Sequence, residues 1–278
     1  MTIAFLCPRW GSEQIPWPEF LQQVKDAGYT GIEWFPFGEQ CDHEAVIALL
    51  KKMELHWCIV TAITEHLPFA AYTGALDRQL KQLSQLGKDH WPPLFISVQT
   101  GREYFSAGEV YNCLVICKAI AERTGIPIYQ ETHRNKWPYA AHVVKPFLEK
   151  YPDTLLTLDI SHWFCVSESY LEDQQPAVEK ALIHTRHIHA RVGHTEGPQV
   201  YEPAAPEYSA ALNAHLAVWD RYVQLRRDAG ATIITITPEF GPPPYLVFAN
   251  RNGTPQQEQW RVNLWMKDFL QQRYAINH

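Results

Sequence analysis

The stretch 127–159, PIYQETHRNKWPYAAHVVKPFLEKYPDTLLTLD, reads as a strand, a helix and a second strand. Residues 127–131 form a short apolar run that ends in an acid, 139–151 carries apolar residues at helical spacing, and 154–159 is another short apolar run. Short apolar strands that alternate with helices are typical of parallel βαβ units. The stretch therefore predicts the α/β class and places a carboxylate at the end of each of its two strands.

The same alternation continues in both directions along the chain. We predict eight strands, at 2–6, 31–35, 57–62, 94–98, 127–131, 154–159, 186–190 and 232–237. We predict eight helices, at 18–26, 43–53, 76–86, 107–123, 139–151, 175–183, 208–229 and 256–274. Eight such units of about 35 residues each favour a closed (β/α)8 TIM barrel that spans 1–278 as a single domain. An open doubly wound sheet is the alternative, but the turn after the first strand, CPRWG, lacks the glycine pattern of a dinucleotide site.

Two long irregular stretches, 192–207 and 240–255, follow predicted strands seven and eight. In a barrel both belong to the C-terminal face, where active-site loops gather. We therefore expect extended loops over the barrel mouth after these two strands.

Composition excludes several classes of protein. Hydrophobic residues make up 46% of the chain, which argues against intrinsic disorder, and the net charge of −6 disfavours a nucleic-acid partner. No segment approaches the roughly 20 apolar residues of a membrane span, and the N-terminus lacks a basic signal region, so we expect no membrane partner and a cytoplasmic location. The six cysteines include no C-x-x-C pair, so we expect reduced thiols.

Four potential metal ligands stand at the ends of four successive predicted strands, namely Glu131, Asp159, His189 and Glu239. A parallel barrel brings neighbouring strand ends together, so the four side chains can converge on one ion. Three carboxylates and one imidazole suit Mn²⁺, Mg²⁺ or Co²⁺, with Zn²⁺ also an option, and the lack of thiolate argues against a structural zinc. Each acid has an ordinary alternative, because it could instead cap the next helix or pair with an arginine.

Several short motifs carry a family resemblance over essentially the whole chain. They are AGYTGIEW at 27–34, the E-x-H of Glu131 and His133, the D-x-x-H of Asp159 and His162, the H-x-H-x-R at 187–191, and Glu239. In this order they resemble the xylose isomerase-like TIM-barrel superfamily of sugar phosphate isomerases and epimerases. The resemblance implies a metal quartet of Glu131, Asp159, His189 and Glu239, and an acid/base pair of Glu131 and Glu239. The loop 192–207 resembles that of one subgroup of this superfamily. These motifs do not identify the substrate.

Other residues are candidates for substrate binding. His133 and His162 lie just beyond ligand candidates and are expected to bind substrate oxygens, although each could instead bond a backbone carbonyl. Arg191 shares a strand face with His189 and is a candidate for a substrate carboxylate, hydroxyl or phosphate. The resemblance makes Glu33 a substrate contact, with a structural ion pair as its alternative. Gln99 and Arg102, after the fourth strand, are likewise either substrate contacts or structural residues. We interpret His187 as a satisfied core histidine.

The function that follows is a divalent-metal-dependent isomerase or epimerase of a keto sugar or sugar phosphate, with one metal ion per chain. The metal would stabilise an enediolate while Glu131 and Glu239 exchange protons with the substrate. The alternatives are a dehydratase of an inosose-like keto polyol, a phosphodiester hydrolase like the type IV apurinic endonucleases, and a non-catalytic binding protein. The expected partner is a small sugar-like molecule; the oligomeric state stays open, with a homodimer among the options.

Overall fold

Eight parallel strands close into a barrel in chain order, each paired with the next and the last with the first, in a computed structural model that describes residues 1–247 and 253–275. This confirms the predicted (β/α)8 barrel. The strands are β1 (Thr2–Pro8), β2 (Gly31–Trp34), β3 (His56–Ala62), β4 (Ile96–Gln99), β5 (Ile128–Glu131), β6 (Leu155–Leu158), β7 (Thr185–His189) and β8 (Ile233–Thr237).

Helices surround the barrel and bury one apolar face against the strands. Within the described ranges they are α1 (Trp17–Asp26), α2 (His43–Lys52), α3 (Phe69–Leu83), α4 (Ala107–Thr124), α5 (Ala141–Lys150), α6 (Ile160–Ser167), α7 (Gln175–His184), α8 (Ser209–Asp228) and α9 (Pro255–Ala275). Local signals set several of their ends. In α4, for example, Ser106 and Glu109 form a reciprocal capping box, and Gly125 ends the helix with a φ of 73°.

Two helices differ from the prediction. The helix α6 was not predicted, because its apolar sequence ISHWFCVS follows strand β6 directly and resembles a continuation of it. It begins where the Asp159 carboxylate accepts a hydrogen bond from the Ser161 amide at 3.0 Å. The helix α3 begins at Phe69, seven residues before the predicted 76. The predicted start was too late because Gly74 interrupts the apolar pattern, although the buried Tyr72 before it already belongs to the helix.

The loop after β7 is fixed to the loop after β8. Gln199 donates to the Gly241 carbonyl at 3.2 Å, and the Gly241 amide donates back to the Gln199 side chain at 2.7 Å. Within the first loop, the Val200 amide bonds to the Val192 carbonyl at 2.9 Å. Part of the second predicted loop, residues 248–252, lies outside the described residues.

The six cysteines are unpaired, as expected, and four of them are buried. No helix among the described residues is long and apolar enough to cross a membrane.

Candidate active site at the C-terminal end of the barrel

The four predicted ligands lie at one end of the barrel. Glu131 and His189 are the last residues of β5 and β7, Asp159 directly follows β6, and Glu239 lies two residues beyond β8. All four are buried, and Glu239, at 7% exposure, is the most accessible of them. The strand ends thus bring the predicted side chains into one region, although they do not all make the same contacts.

His189 lies at the centre of this region. Its Nδ1 atom is 3.0 Å from a Glu239 oxygen and 3.9 Å from a Glu131 oxygen. On the other edge of the ring, Nε2 is 3.0 Å from a Glu33 oxygen. The imidazole is therefore placed between the two predicted acid/base residues on one edge and a third carboxylate on the other.

Glu33 is tied to the barrel interior. The same Glu33 oxygen lies 3.3 Å from His187 Nε2 and accepts from the Thr237 hydroxyl at 3.4 Å and the Cys58 thiol at 3.7 Å. Burial acts to raise the pKa of this carboxyl, but the neighbouring charge of His189 and the histidine hydrogen bonds outweigh burial and hold the pKa well below its usual range. The predicted substrate contact thus lies beneath the histidines and orients them.

The charge balance among these groups shifts two further pKa values. Burial acts to lower the pKa of His189, yet the surrounding carboxylates, Glu239 first, raise it well above its ordinary value. Burial also raises the pKa of Glu131 to about 8; neighbouring carboxylates add to this, while His189 opposes it. In the protein without a bound cation, the imidazolium therefore supplies positive charge that this acidic cluster requires.

Glu131, His189 and Glu239 fit a divalent cation. Each offers one ligand atom within 4.8 Å of the other two, and all three residues are buried. Two ligand atoms about 2.1 Å from an ion and at right angles are about 3.0 Å apart, close to the observed separation of His189 Nδ1 and Glu239. Glu131 Oε2 and His189 Nδ1 have no aligned hydrogen-bond partner among the described residues, although both are buried. Unsatisfied buried ligand atoms beside a second carboxylate are the feature that a cation would complete.

A second group, Glu33, His187 and His189, also meets the distance requirement. Here the ligand atoms already have partners. His187 Nδ1 lies 2.7 Å from the Thr235 hydroxyl, and its Nε2 lies 3.1 Å from the Thr237 hydroxyl. These contacts agree with the interpretation of His187 as a satisfied core histidine and favour the first group for a metal.

Asp159 has different partners from the other three predicted ligands. One of its oxygens accepts from the backbone and hydroxyl of Ser161, and the other is bonded to the Arg191 guanidinium. Asp159 therefore both caps a helix and pairs with an arginine. Arg191 is also 3.7 Å from Glu239, so its positive charge lies between the two acids.

The two histidines predicted to bind substrate lie together, with ring centres 4.1 Å apart. His162 Nδ1 is 3.1 Å from Arg134, and its Nε2 is 2.9 Å from Arg191. Burial lowers the pKa of His162 well below its usual value, and burial lowers that of His133 to about 3. A neutral imidazole has one acceptor nitrogen, so His162 accepts from only one of the two arginines.

Two polar residues near Glu131 extend the predicted site. Gln99, at the end of β4, donates to Glu131 Oε1 at 2.9 Å and thereby orients the carboxylate. Lys136, in the loop after β5, is only 3% exposed and was not predicted. Its position five residues beyond a strand-end acid was the one signal in the sequence that could have drawn attention to it.

Comparison with known proteins supports the fold. No protein-family model matches the chain, and no curated protein matches it. Among solved structures, the probable 3-DHS dehydratase AsbF of Bacillus anthracis, involved in petrobactin synthesis, is 18% identical with a TM-score of 0.60, over 93% of this chain and 98% of that one. The chain shares its fold.

Two further solved structures have nearly the same TM-score. The 3-keto-D-glucoside 4-epimerase YcjR of E. coli is 13% identical with a TM-score of 0.59, over 96% of this chain and all of that one. A D-tagatose 3-epimerase-like protein is 12% identical with a TM-score of 0.59, over 99% of this chain and all of that one. At such identities the likeness shows the fold alone, and the chemistry must be argued from the site.

Proposed function

We propose that this chain is a divalent-metal-dependent isomerase or epimerase of a keto sugar or sugar phosphate. The observation that carries the proposal is the pair of carboxylates, Glu131 and Glu239, on one edge of His189 at 3.9 and 3.0 Å. A buried acid pair next to unsatisfied ligand atoms suits the removal and return of a proton. The epimerase names of structures with this fold agree with such chemistry.

In this proposal Glu131, His189 and Glu239 hold the cation, and Asp159 is the fourth ligand. A bound divalent cation would polarise the substrate carbonyl and stabilise the negative charge of an enediolate. One of Glu131 and Glu239 takes the proton from the carbon next to the carbonyl, and the electrons of that C–H bond form the enediolate double bond. The other glutamate donates a proton, either to the opposite face of the same carbon or to the neighbouring carbon. In the second case the hydroxyl proton of the first carbon passes to the former carbonyl oxygen, so that the carbonyl changes place.

The surrounding residues position the reactants. Gln99 fixes the orientation of Glu131 through its 2.9 Å hydrogen bond. Glu33 fixes the His189 ring through Nε2, as carboxylates commonly do for metal-bound histidines. We assign His133 to a substrate hydroxyl, because burial keeps its ring neutral and so able to accept or donate a hydrogen bond. His162, also predicted to bind substrate, faces Arg134 and Arg191 with its two ring nitrogens, so it would contact a substrate hydroxyl only in place of one of these arginines.

Deuterium incorporation tests the acid/base pair. The protein is loaded with Mn²⁺, Mg²⁺ or Co²⁺ and incubated in deuterated water with a panel of keto sugars and their phosphate esters. We expect deuterium on the carbon next to the carbonyl of the accepted substrate. Glu131→Gln and Glu239→Gln should each lower the rate by roughly 10² to 10⁴, whereas the exposed control Glu122→Gln should not. Wild-type rates in both site variants would refute the assignment.

Elemental analysis tests the metal ligands separately. His189→Ala should lose the bound metal, and Asp159→Asn should lose less of it, because Asp159 is already bonded to Arg191 and Ser161. Undiminished metal content in both variants would remove the metal from the proposal.

A dehydratase acting on a related keto polyol is the second candidate. It is favoured by the fold shared with a probable 3-DHS dehydratase, and it begins with the same proton removal. Mass spectrometry of the product separates the two functions, because a dehydratase product is lighter than its substrate by one water and an isomerase product is not.

A further inference from the structure

Lys136 is a buried lysine without a partner. It is 3% exposed, and its ammonium group makes no hydrogen bond or ion pair with any residue of 1–247 or 253–275. Only its backbone is engaged, through a 3.0 Å bond from the amide to the His133 carbonyl. Lysine is almost never fully buried unless it is paired, because removing an ammonium from water is costly. An anion bound to this ammonium would offset that cost.

A second cation lies close to Lys136. Burial is the main cause that lowers the pKa of Lys136, to about 8, and repulsion from Arg102 is the next. Arg102 is itself 7% exposed. Glu131 and Glu103 act in the opposite direction, but neither forms an ion pair with Lys136. Two neighbouring buried cations repel each other, so an anion between or beside them would be stabilised.

The Arg102 guanidinium is fixed from one side only. Its Nη2 donates to the backbone carbonyls of Ile63, Thr64 and Glu65 at 3.1, 3.3 and 2.7 Å. Its Nε and Nη1 make no hydrogen bond to the described parts of the chain. Neutral carbonyls hold the side chain in place without cancelling its charge, which leaves two donors for a ligand.

The cation pair adjoins the proposed reaction centre. Lys136 and Arg102 lie in the loops after the adjacent strands β5 and β4, and these loops are joined by a 3.3 Å bond from the Trp137 amide to the Thr100 carbonyl. The Glu131 carboxylate is near enough to act on the pKa of Lys136, although it forms no ion pair with it. Arg191 is already bonded to Asp159 and so offers less free charge to a ligand.

We propose that Lys136, supported by Arg102, binds a carboxylate or phosphate group carried by the substrate. The inference rests on the proposed function for the location of the reaction centre, and it narrows the substrate to an anionic keto compound. A carboxylate and a phosphate both present oxygens that accept from an ammonium and from a guanidinium.

Anion binding tests the proposal directly. Inorganic phosphate and glycolate are titrated into the protein by calorimetry, with glycerol as the neutral control. We expect saturable binding of at least one anion and none of glycerol. Lys136→Met should weaken that binding roughly 10- to 100-fold, the usual effect of losing a charged hydrogen bond. Lys136→Arg should retain most of it, and the exposed control Lys88→Met should bind as wild type.

Two results would overturn the inference. One is the absence of saturable binding of both anions to the wild type; the other is wild-type anion affinity in Lys136→Met. Preferential binding of phosphate would point to a sugar phosphate, and preferential binding of glycolate would point to a keto acid.

Thermal unfolding without ligand supplies a second readout. Lys136→Met should raise the melting temperature, because it replaces a desolvated, unpaired charge with an apolar chain of similar length. A lysine with a purely structural role would give a lower melting temperature, which would overturn the proposal.

The deuterium experiment separates this inference from the proposed function. Exchange on a sugar phosphate or keto acid with an unchanged KM in Lys136→Met would leave the isomerase proposal standing and remove the anion subsite. Anion binding that depends on Lys136, with no exchange on any substrate, would support the anion subsite and remove the isomerase proposal.

Discussion

Arg191 lies between Asp159 and Glu239, two of the four proposed metal ligands. Its guanidinium bonds to Asp159, lies 3.7 Å from Glu239, and is buried to 2% exposure. Burial acts to lower the pKa of this arginine, but Asp159 and Glu239 together raise it, so the side chain stays charged. The arginine therefore neutralises part of the acidic cluster, and it would compete with a divalent ion for the same oxygens.

This competition makes a prediction about metal affinity. Arg191→Met frees one Asp159 oxygen and removes a positive charge next to the ligands, so Mn²⁺ should bind about tenfold more tightly. Calorimetric titration measures the affinity, and melting without metal should show a less stable protein, because the acids are then uncompensated. Weaker or unchanged Mn²⁺ binding would show that Arg191 does not compete with the ion.

For single residues, the sequence predicted where the site residues lie better than it predicted which residues they bond to. Glu131 and His189 could be found because each ends a short apolar strand, and in a parallel barrel all strand ends meet. The bond between Arg191 and Asp159 could not be found, because it depends on where the chain turns after β6 and β7. The isolation of Lys136 is equally invisible in sequence, since a lysine in a polar loop is ordinarily exposed.

Among the elements, helix α9 holds the backbone next to Glu239. Asn263 accepts from the Phe240 amide at 2.8 Å and donates to the Phe240 carbonyl at 3.0 Å. Gln259 donates to the same carbonyl at 2.9 Å and to the Trp10 carbonyl at 2.8 Å. The two side-chain amides thus satisfy backbone groups of this loop, as backbone hydrogen bonds from a neighbouring strand would.

Asn263→Leu should therefore act on the site from a distance. It leaves the Phe240 amide without its acceptor, so we expect a loss of about 1–3 kcal/mol in the free energy of unfolding and slower deuterium exchange through displacement of Glu239. Urea unfolding and the exchange assay measure the two effects. The exposed control Asn112→Leu should show neither. A destabilised variant with wild-type exchange would mean that α9 supports the fold and not the placement of Glu239.

The loop after β7 gives a second prediction at this scale. Its three prolines restrict its conformations, and the bonds between Gln199 and Gly241 fix it to the loop after β8. Replacing residues 201–206 with a short Gly-Ser linker, which keeps the bonds between Gln199 and Gly241, should raise KM or broaden substrate choice and leave the metal content unchanged. Unaltered kinetics on the accepted substrate would indicate that the loop serves another purpose, such as an oligomer contact.

The sequence failed to predict helix α6 for a physical reason. Helix α6 depends on the Asp159 cap, which interrupts an otherwise continuous apolar run, and periodicity cannot separate a strand from a helix within such a run. The alternation of the eight strands was strong because each is short, buried and followed by a longer helical pattern. The alternation of strands and helices could therefore be predicted from the sequence, whereas the exact ends of the elements and the presence of α6 depend on tertiary contacts.

For the molecule as a whole, a buried histidine makes stability depend on pH. His215 on α8 is fully buried; its Nδ1 donates to the Ala211 carbonyl at 2.8 Å, and its Nε2 accepts from the Gly193 amide at 3.3 Å. Burial is the main cause that lowers its pKa from 6.5 to about 4. As the pH falls below 6.5 the unfolded chain takes up a proton that the folded protein resists, so stability present at neutral pH is lost towards pH 4.

The contribution of His215 should reach about 3 kcal/mol over this range, since one pKa unit corresponds to about 1.4 kcal/mol. His215→Gln removes the titration while keeping polar atoms at the position. Urea unfolding at several pH values should show the gap in stability between wild type and variant narrowing as the pH falls from 7 to 4.5. Parallel curves would mean that other groups cause the acid sensitivity.

The reciprocal bond between Gln199 and Gly241 has a consequence for engineering new specificity. Loops on a barrel of this kind are ordinarily exchanged one at a time, because each is attached only to its own strands. Here a graft that replaces either loop alone leaves the other with an unsatisfied buried amide or side chain. The two loops therefore form a single transplantable cassette, and libraries that recombine them as a pair should retain more folded members than libraries that shuffle them independently.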